Sequence, residues 1–328
     1  MKAFEFVRPR TPEGAAQALA SGGSVALKAG GVDLLDRMKE RVDEPDRVVG
    51  LLDVEGLAGI RALPDGGFSI GAMTALQDVA DSEVVRKSLP SLAKASGLAA
   101  SLQIRKRATI GGNLAQHTRC GYYRHRSFPC LKRGDDVCPV RGEGGVQDTA
   151  AIFGNDPCAS AHPSSVVPVL GALDVQIVVR GKAGERRVPF AAFWAPPAKG
   201  RASDTALEPG DVVVSVEVPA VAGRRLGYEE VRQKAAFDWA LVSCAVAFTG
   251  GEAAVKEARV WLNSVAPTPW RAAAAEKALV GKRFTEDLAR KAGEAAVEGA
   301  TPLPGNAYKV ALVKVVVRRA LMEAWGRK

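Results

Sequence analysis

Nothing in this chain approaches the ~18 consecutive apolar residues of a bilayer-spanning helix. Its longest apolar stretches, Ala240–Phe248 and Val310–Val317, are interrupted or too short. No membrane span is expected. Met1–Arg10 lacks an apolar core followed by a small-residue cleavage site, so no secretory signal is visible. Repeats at a solenoid period are absent as well.

What is present is ordinary for a globular protein. The 328 residues suggest two or three domains, each able to bury a core. Hydrophobic residues make up 47% and charged residues 25%, which excludes wholesale disorder and fibrous structure. Net charge is +9, from 45 basic and 36 acidic residues. The basic residues are scattered, and the densest groups, Arg105-Lys106-Arg107 and Arg119 to Arg133, adjoin the glycine and cysteine features described next. A local role is favoured over a nucleic-acid footprint.

Thr11-Pro12-Glu13 reads as a cap before a proline in the first helical turn, opening a helix through Ala20. Ser24–Ala29 reads as a strand ending at Gly30-Gly31, with a helix over 33–39. Val48–Leu52, Gly59–Leu63 and Phe68–Ile70 are further strand candidates, and 75–100 is helical with a break at Pro90. Periodicity vanishes from His117 to Pro163, more than forty residues. Loops of that length are functional or disordered. A helix over Ser164–Leu173 and a strand over Val175–Val179 follow, and the Pro/Gly cluster at 195–200 suggests a boundary. Beyond it, Asp211–Val218, Leu226–Lys234, Ala240–Thr249 and Val255–Ser264 read as successive strands, then Thr285–Glu298 and Tyr308–Trp325 as helices. That order predicts an α+β domain, with helices on one face of an antiparallel sheet.

Two segments share a chemistry: Lys28-Ala29-Gly30-Gly31-Val32-Asp33-Leu34 and Ala108-Thr109-Ile110-Gly111-Gly112-Asn113-Leu114. Paired glycines permit positive φ and remove Cβ atoms, so backbone N–H groups can converge on an anion such as a pyrophosphate. Thr109 and Asn113 add side-chain hydrogen bonds. Neither segment has the Rossmann or P-loop spacing.

Cys120, Cys130, Cys138 and Cys158 fall in the aperiodic segment, spaced C-x9-C-x7-C-x19-C, whereas Cys244 lies in an apolar strand and reads as core. The pattern lacks the C-x2-C of zinc ribbons and the compact ferredoxin run. Two disulfides, free thiols, and thiolates around zinc or an iron–sulfur cluster all remain open. Metal ligation would explain an ordered segment that builds no core. Arg119, Arg124, Arg126, Lys132 and Arg133 could offset thiolate charge, and His117, His125 and His162 are read as solvated or hydrogen-bonded histidines rather than ligands.

The two glycine turns, about eighty residues apart, together with Ser69-Ile70-Gly71-Ala72-Met73-Thr74, His162-Pro163-Ser164-Ser165 and Leu170-Gly171-Ala172-Leu173-Asp174, give the chain a resemblance. It resembles the FAD-binding medium subunit of the molybdenum hydroxylases over nearly its whole length. The resemblance implies a two-lobed FAD-binding domain of the PCMH/VAO type over 1–195, with a cysteine-rich insertion at about 117–160, followed by a smaller α+β domain over 201–328. It also implies FAD contacts from Leu27, Lys28, Ala29, Gly30, Gly31, Val32, Asp33, Leu34, Thr109, Gly111, Gly112, Asn113, Leu114 and Lys234. Lys234–Ala240 looks like a segment that approaches the cofactor again. Relatives often carry Thr where this chain has Val32, and Asp where it has Ser165.

The run Arg119–Arg124, with Phe128-Pro129-Cys130 and Asp156-Pro157-Cys158-Ala159, looks most like the periplasmic aldehyde oxidoreductase type. There the cysteines hold an extra [4Fe-4S] cluster, which assigns Cys120, Cys130, Cys138 and Cys158 as ligands. The implied activity is electron transfer. Electrons would pass from [2Fe-2S] centres of a small partner subunit to FAD and on to a small-molecule acceptor, while a large molybdenum-cofactor subunit performs the hydroxylation. No catalytic base is expected here. The cytoplasm is expected, or the periplasm if a partner's twin-arginine signal carries the complex. A scaffold protein with structural zinc and a free-standing flavin oxidase are the rival readings.

Overall fold

The computed structural model describes residues 1–235, 237–251 and 253–326. Thr11 caps the first helix, Pro12–Leu19, by accepting from the Gly14 N–H at 3.1 Å. That helix leads into a parallel three-stranded sheet of β1 (Glu5–Val7), β2 (Val25–Lys28) and β3 (Arg47–Gly50), ordered β1-β3-β2. Lys28 is level with Gly50, and the chain leaves β2 directly into the first glycine turn. The short helix Leu34–Lys39 follows and buries Leu34 and Met38 against Val48.

A second, antiparallel sheet contains β4 (Ile60–Ala62), β5 (Phe68–Gly71), β6 (Gln176–Gly181), β7 (Gly184–Pro189) and β8 (Val212–Val218), ordered β4-β5-β8-β6-β7. β7 is polar and sits at the edge, which is why apolar patterning missed it. The helices Leu76–Asp81, Glu83–Ser88 and Pro90–Leu98 contribute Leu76, Val79, Val85, Leu92 and Ala95 to a core shared with Ile177, Val179 and Val216. A helix over Val167–Leu173, buried throughout, fills the centre of that core. It starts after Ser164, whose hydroxyl accepts from the N–H groups of Val166 and Val167.

The third sheet is antiparallel and comprises β9 (Arg225–Arg232), β10 (Ala240–Gly250), β11 (Val255–Asn263) and β12 (Trp270–Arg271), ordered β12-β11-β10-β9. Its central strand is apolar on both sides because it serves two cores. Val242, Cys244, Val246 and Phe248 face the helices Ala273–Leu279, Glu286–Ala295 and Tyr308–Trp325. Ala245 and Ala247 join the core of the five-stranded sheet. Cys244 is fully buried, as its apolar setting predicted.

One expectation is corrected. The strand at 212–218 does not begin the C-terminal sheet; β8 lies between β5 and β6. The passage to the third sheet therefore falls between Val218 and Arg225, not in the Pro/Gly segment at 195–200. A strand's propensity says nothing about its partner, and β8 finds in β5 and β6 two open edges that pair both of its own.

Candidate cofactor groove and cysteine segment

A groove of about 480 Å³ opens between the β2 turn and the five-stranded sheet. Leu27, Ala29, Gly30, Gly31, Val32, Asp33 and Leu34 form one wall, and Thr109, Gly111, Gly112 and Asn113 the other. The two glycine turns meet here. A Cβ on Gly30 would stand 1.7 Å from the Arg107 carbonyl oxygen, and one on Gly112 would lie 3.5 Å from the Ala29 Cβ. Gly31 takes φ +83, a left-handed conformation that suits glycine.

The turns are not equivalent donors, contrary to the sequence expectation. In the second, the N–H of Gly111 donates to Ala72 O at 2.9 Å, and that of Gly112 to Thr109 Oγ1 at 3.1 Å. Thr109 thereby caps the five-residue helix Ile110–Leu114. In the first, the N–H groups of Gly31, Val32 and Asp33 have no acceptor among the described residues. Free amides beside a groove fit the anionic bridge of a dinucleotide. The groove's walls are mainly apolar, which suits a ring system next to that bridge.

Asp33 is occupied by protein. Its carboxylate accepts from Arg124 at 2.5 Å, lies 3.1 Å from Arg119, pairs with Arg37, and accepts the His117 N–H at 3.1 Å. Burial alone would raise its pKa, but the guanidiniums of Arg37, Arg124 and Arg119 hold it down at about 2. Asp33 thus ties the first turn to the cysteine segment. Asn113 turns its Oδ1 to the Ser164 hydroxyl.

Three assigned residues stand outside the groove wall. Lys28 does not line it, and Leu114 is buried beneath the second turn. Lys234 sits in the bend between β9 and β10, where its N–H donates to Asp238 at 3.3 Å. Its neighbours there are Lys94, Glu229 and Arg232. From that bend Trp239 meets Arg119, a groove residue, whose guanidinium lies 5.5 Å from the centre of its ring. Ala236 lies outside the described residues. Sequence reasoning missed Arg37, Arg119, Ser203 and Thr205 as groove residues. No local pattern marks them, because tertiary packing alone brings 203–205 to the site.

The cysteine segment is ordered by polar contacts rather than by periodic structure. Arg133 donates to the carbonyls of Tyr122, Tyr123 and Phe128, and Arg124 to Thr118 O. Gly200 N–H donates to Leu131 O, so the 195–204 strap lies across the segment. Of the basic residues expected to offset thiolate charge, Arg119 and Arg124 pair with Asp33 and Asp36, and Arg126 with Glu44, while Arg133 acts on Cys130, and Lys132, though paired with Asp204, acts on Cys158. His117 contacts the Tyr123 hydroxyl at 2.6 Å, and His162 packs edge-on against Trp194, burial pushing both rings toward the neutral form.

All five cysteines are free thiols, so the disulfide reading is not followed. Cys138 and Cys158 act on one another, which pushes the first down and the second up. The Cys158 thiol donates to the Ser160 hydroxyl at 3.4 Å. Among the described residues, no three His, Cys, Asp or Glu side chains converge on a single metal ion.

An α+β scaffold in which one glycine turn leaves its amides free at a groove and a second closes the opposite wall defines a dinucleotide-binding flavoprotein. The chain belongs to the family of FAD-binding medium subunits of molybdenum hydroxylases: residues 2–221 match the FAD binding domain in molybdopterin dehydrogenase, and residues 227–324 the CO dehydrogenase flavoprotein C-terminal domain. It is 33% identical over 327 residues to the aldehyde oxidoreductase FAD-binding subunit PaoB of Escherichia coli (strain K12), covering 99% of each chain. To the carbon monoxide dehydrogenase medium chain of Hydrogenophaga pseudoflava it is 32% identical over 331 residues, covering 99% of this chain and 98% of the other. A solved carbon monoxide dehydrogenase from the same organism matches with a TM-score of 0.76 at 33% identity, over 99% of this chain and 98% of that one.

Proposed function

We propose that this subunit transfers electrons within a molybdenum hydroxylase, taking them from [2Fe-2S] centres of a small partner subunit and delivering them to a small-molecule acceptor. Hydroxylation belongs to a large partner subunit with the molybdenum cofactor. FAD, when bound, couples one-electron centres to acceptors of one or two electrons. This chain's residues fix its place. The unpartnered N–H groups of Gly31, Val32 and Asp33 would hold its pyrophosphate, while Thr109 and Asn113 brace the opposing turn. Those three free amides, in a groove closed by the second glycine turn, carry the reading.

The four thiols are proposed to hold a [4Fe-4S] cluster. Four thiolates around one zinc would stand roughly 3.8 Å apart, given Zn–S bonds of about 2.3 Å. Four cysteines, the donor set of a [4Fe-4S] cube, lie in one segment held in place by polar contacts rather than by a core of its own, and all four are free thiols. Iron quantification separates the cluster from structural zinc. The complex would work in the cytoplasm, or in the periplasm on a partner's twin-arginine signal.

The test is an absorption and EPR spectrum of the reconstituted full chain, with flavin and iron quantified. One flavin and about four irons per chain are expected. A chain without flavin overturns the electron-transfer reading, and a flavin-loaded chain without iron overturns the cluster. Co-purification with the two partner subunits separates this reading from a free-standing oxidase.

A further inference from the structure

One ion pair is buried between the groove and the cysteine segment. Lys132 and Asp204 pair with side chains only 1% and 2% exposed. Lys132 lies two residues beyond Cys130, and its charge acts on the Cys158 thiol and on the rings of His117 and His162. Asp204 lies between Ser203 and Thr205, which line the groove, as does His117. The pair is therefore in electrostatic reach of both sites.

Stability is a poor reason for such a pair. Removing two charges from water is expensive, and apolar residues of similar volume serve a core as well or better. This pair is also incompletely satisfied, since Asp204 Oδ2 has no hydrogen-bond partner among the described residues. A charge in a low-dielectric interior does act strongly on a neighbouring redox centre.

We propose that the Lys132–Asp204 pair sets the reduction potential of the cysteine-held cluster relative to the flavin, and so the direction in which an electron rests between them. The inference deepens the proposed function and rests on it. The Lys132 ammonium, two residues beyond Cys130, would stabilise the reduced and more negative cluster, and the Asp204 carboxylate paired with it would oppose that effect. Neither side chain ligates iron or touches flavin; each acts as a positioned charge.

The experiment is an EPR-monitored redox titration of the full chain reconstituted with FAD, iron and sulfide, as wild type and as Lys132→Met, Asp204→Asn, the double variant and Lys132→Arg. At a fixed potential, Lys132→Met should lower the reduced-to-oxidised ratio of the cluster about tenfold, which is about 59 mV for a one-electron couple. Asp204→Asn should raise it, the double variant should fall between the two, and Lys132→Arg should stay near wild type. Should Lys132→Met fail to fold, the opposite shift in Asp204→Asn and its reversal in the double variant still decide the matter. Shifts of one sign, or none, overturn the inference. So does loss of iron from Lys132→Arg and the double variant alike, which would mark the pair as structural. A wild-type chain that takes up flavin but no iron overturns the cluster reading itself, and is told apart by its iron content.

Discussion

Gly30 and Arg107 touch backbone to backbone, so closely that a Cβ on Gly30 would stand 1.7 Å from the Arg107 carbonyl oxygen. This approach seats the first glycine turn beside the stretch that leads into the second. A backbone atom cannot swing away as a side-chain tip can.

Gly30→Ala should therefore separate the two turns. We expect a loss of roughly 1–3 kcal/mol in urea unfolding, typical of overpacking, and a preparation with most of its flavin absorption gone. A variant with full flavin and unchanged midpoint would show that the contact does not shape the groove.

Asp33 makes a second test, through pH. Its carboxyl is held at about 2 in the folded chain against an ordinary 3.8, so its contribution is complete above about pH 4 and is lost as pH falls toward 2. The stake is roughly 2 kcal/mol. Asp33→Asn should flatten stability across that window. At neutral pH it should cost about 3 kcal/mol, because Arg37, Arg119 and Arg124 lose the charge that compensates them.

Cys130→Ser should abolish the cluster signal and lower iron content while leaving flavin absorption, because Cys130 lies away from the groove wall. Unchanged iron would remove Cys130 from the proposed ligand set.

Lys309 offers a prediction in the alkaline range. It is buried, donates to Thr149 O and Ser264 O at 2.9 Å each, and burial lowers its pKa to about 7 from 10.5. Between those values the unfolded chain binds the proton and the folded chain does not, so this group makes stability rise with pH by about 1.4 kcal/mol per unit. Lys309→Met should remove that slope in chemical melts between pH 7 and 10. A slope identical to wild type would mean that Lys309 stays charged when folded.

Much of the scaffold was legible because its signals are local. Thr11-Pro12 announces a helix start, and the cap bond to Gly14 is made. Thr109 reads from sequence as a side-chain hydrogen-bonding group of its turn, and its hydroxyl accepts the Gly112 N–H. The aperiodic stretch at 117–163 contains only single turns, such as Gly121–Arg124 and Leu131–Arg133. Pairwise facts were not legible. Lys234 sits in a bend beside Lys94 and Glu229, outside the groove wall, and the same bend brings Trp239 to Arg119. β8 looked like the first strand of the last sheet, and its place between β5 and β6 is a matter of which edges were open.

The amino-acid order by itself determined the glycine turns, the four-cysteine segment and the succession of helices and strands, because propensity, caps and periodicity act within a few residues. Tertiary structure alone decided that the first turn leaves its amides free while the second ties its own to Ala72 and Thr109. It also decided that Asp33 answers three arginines and that Lys132 meets Asp204 across 72 residues. Hydrogen bonds and charge pairs are settled by which groups packing shuts away from water together, and that choice is made only when distant segments meet.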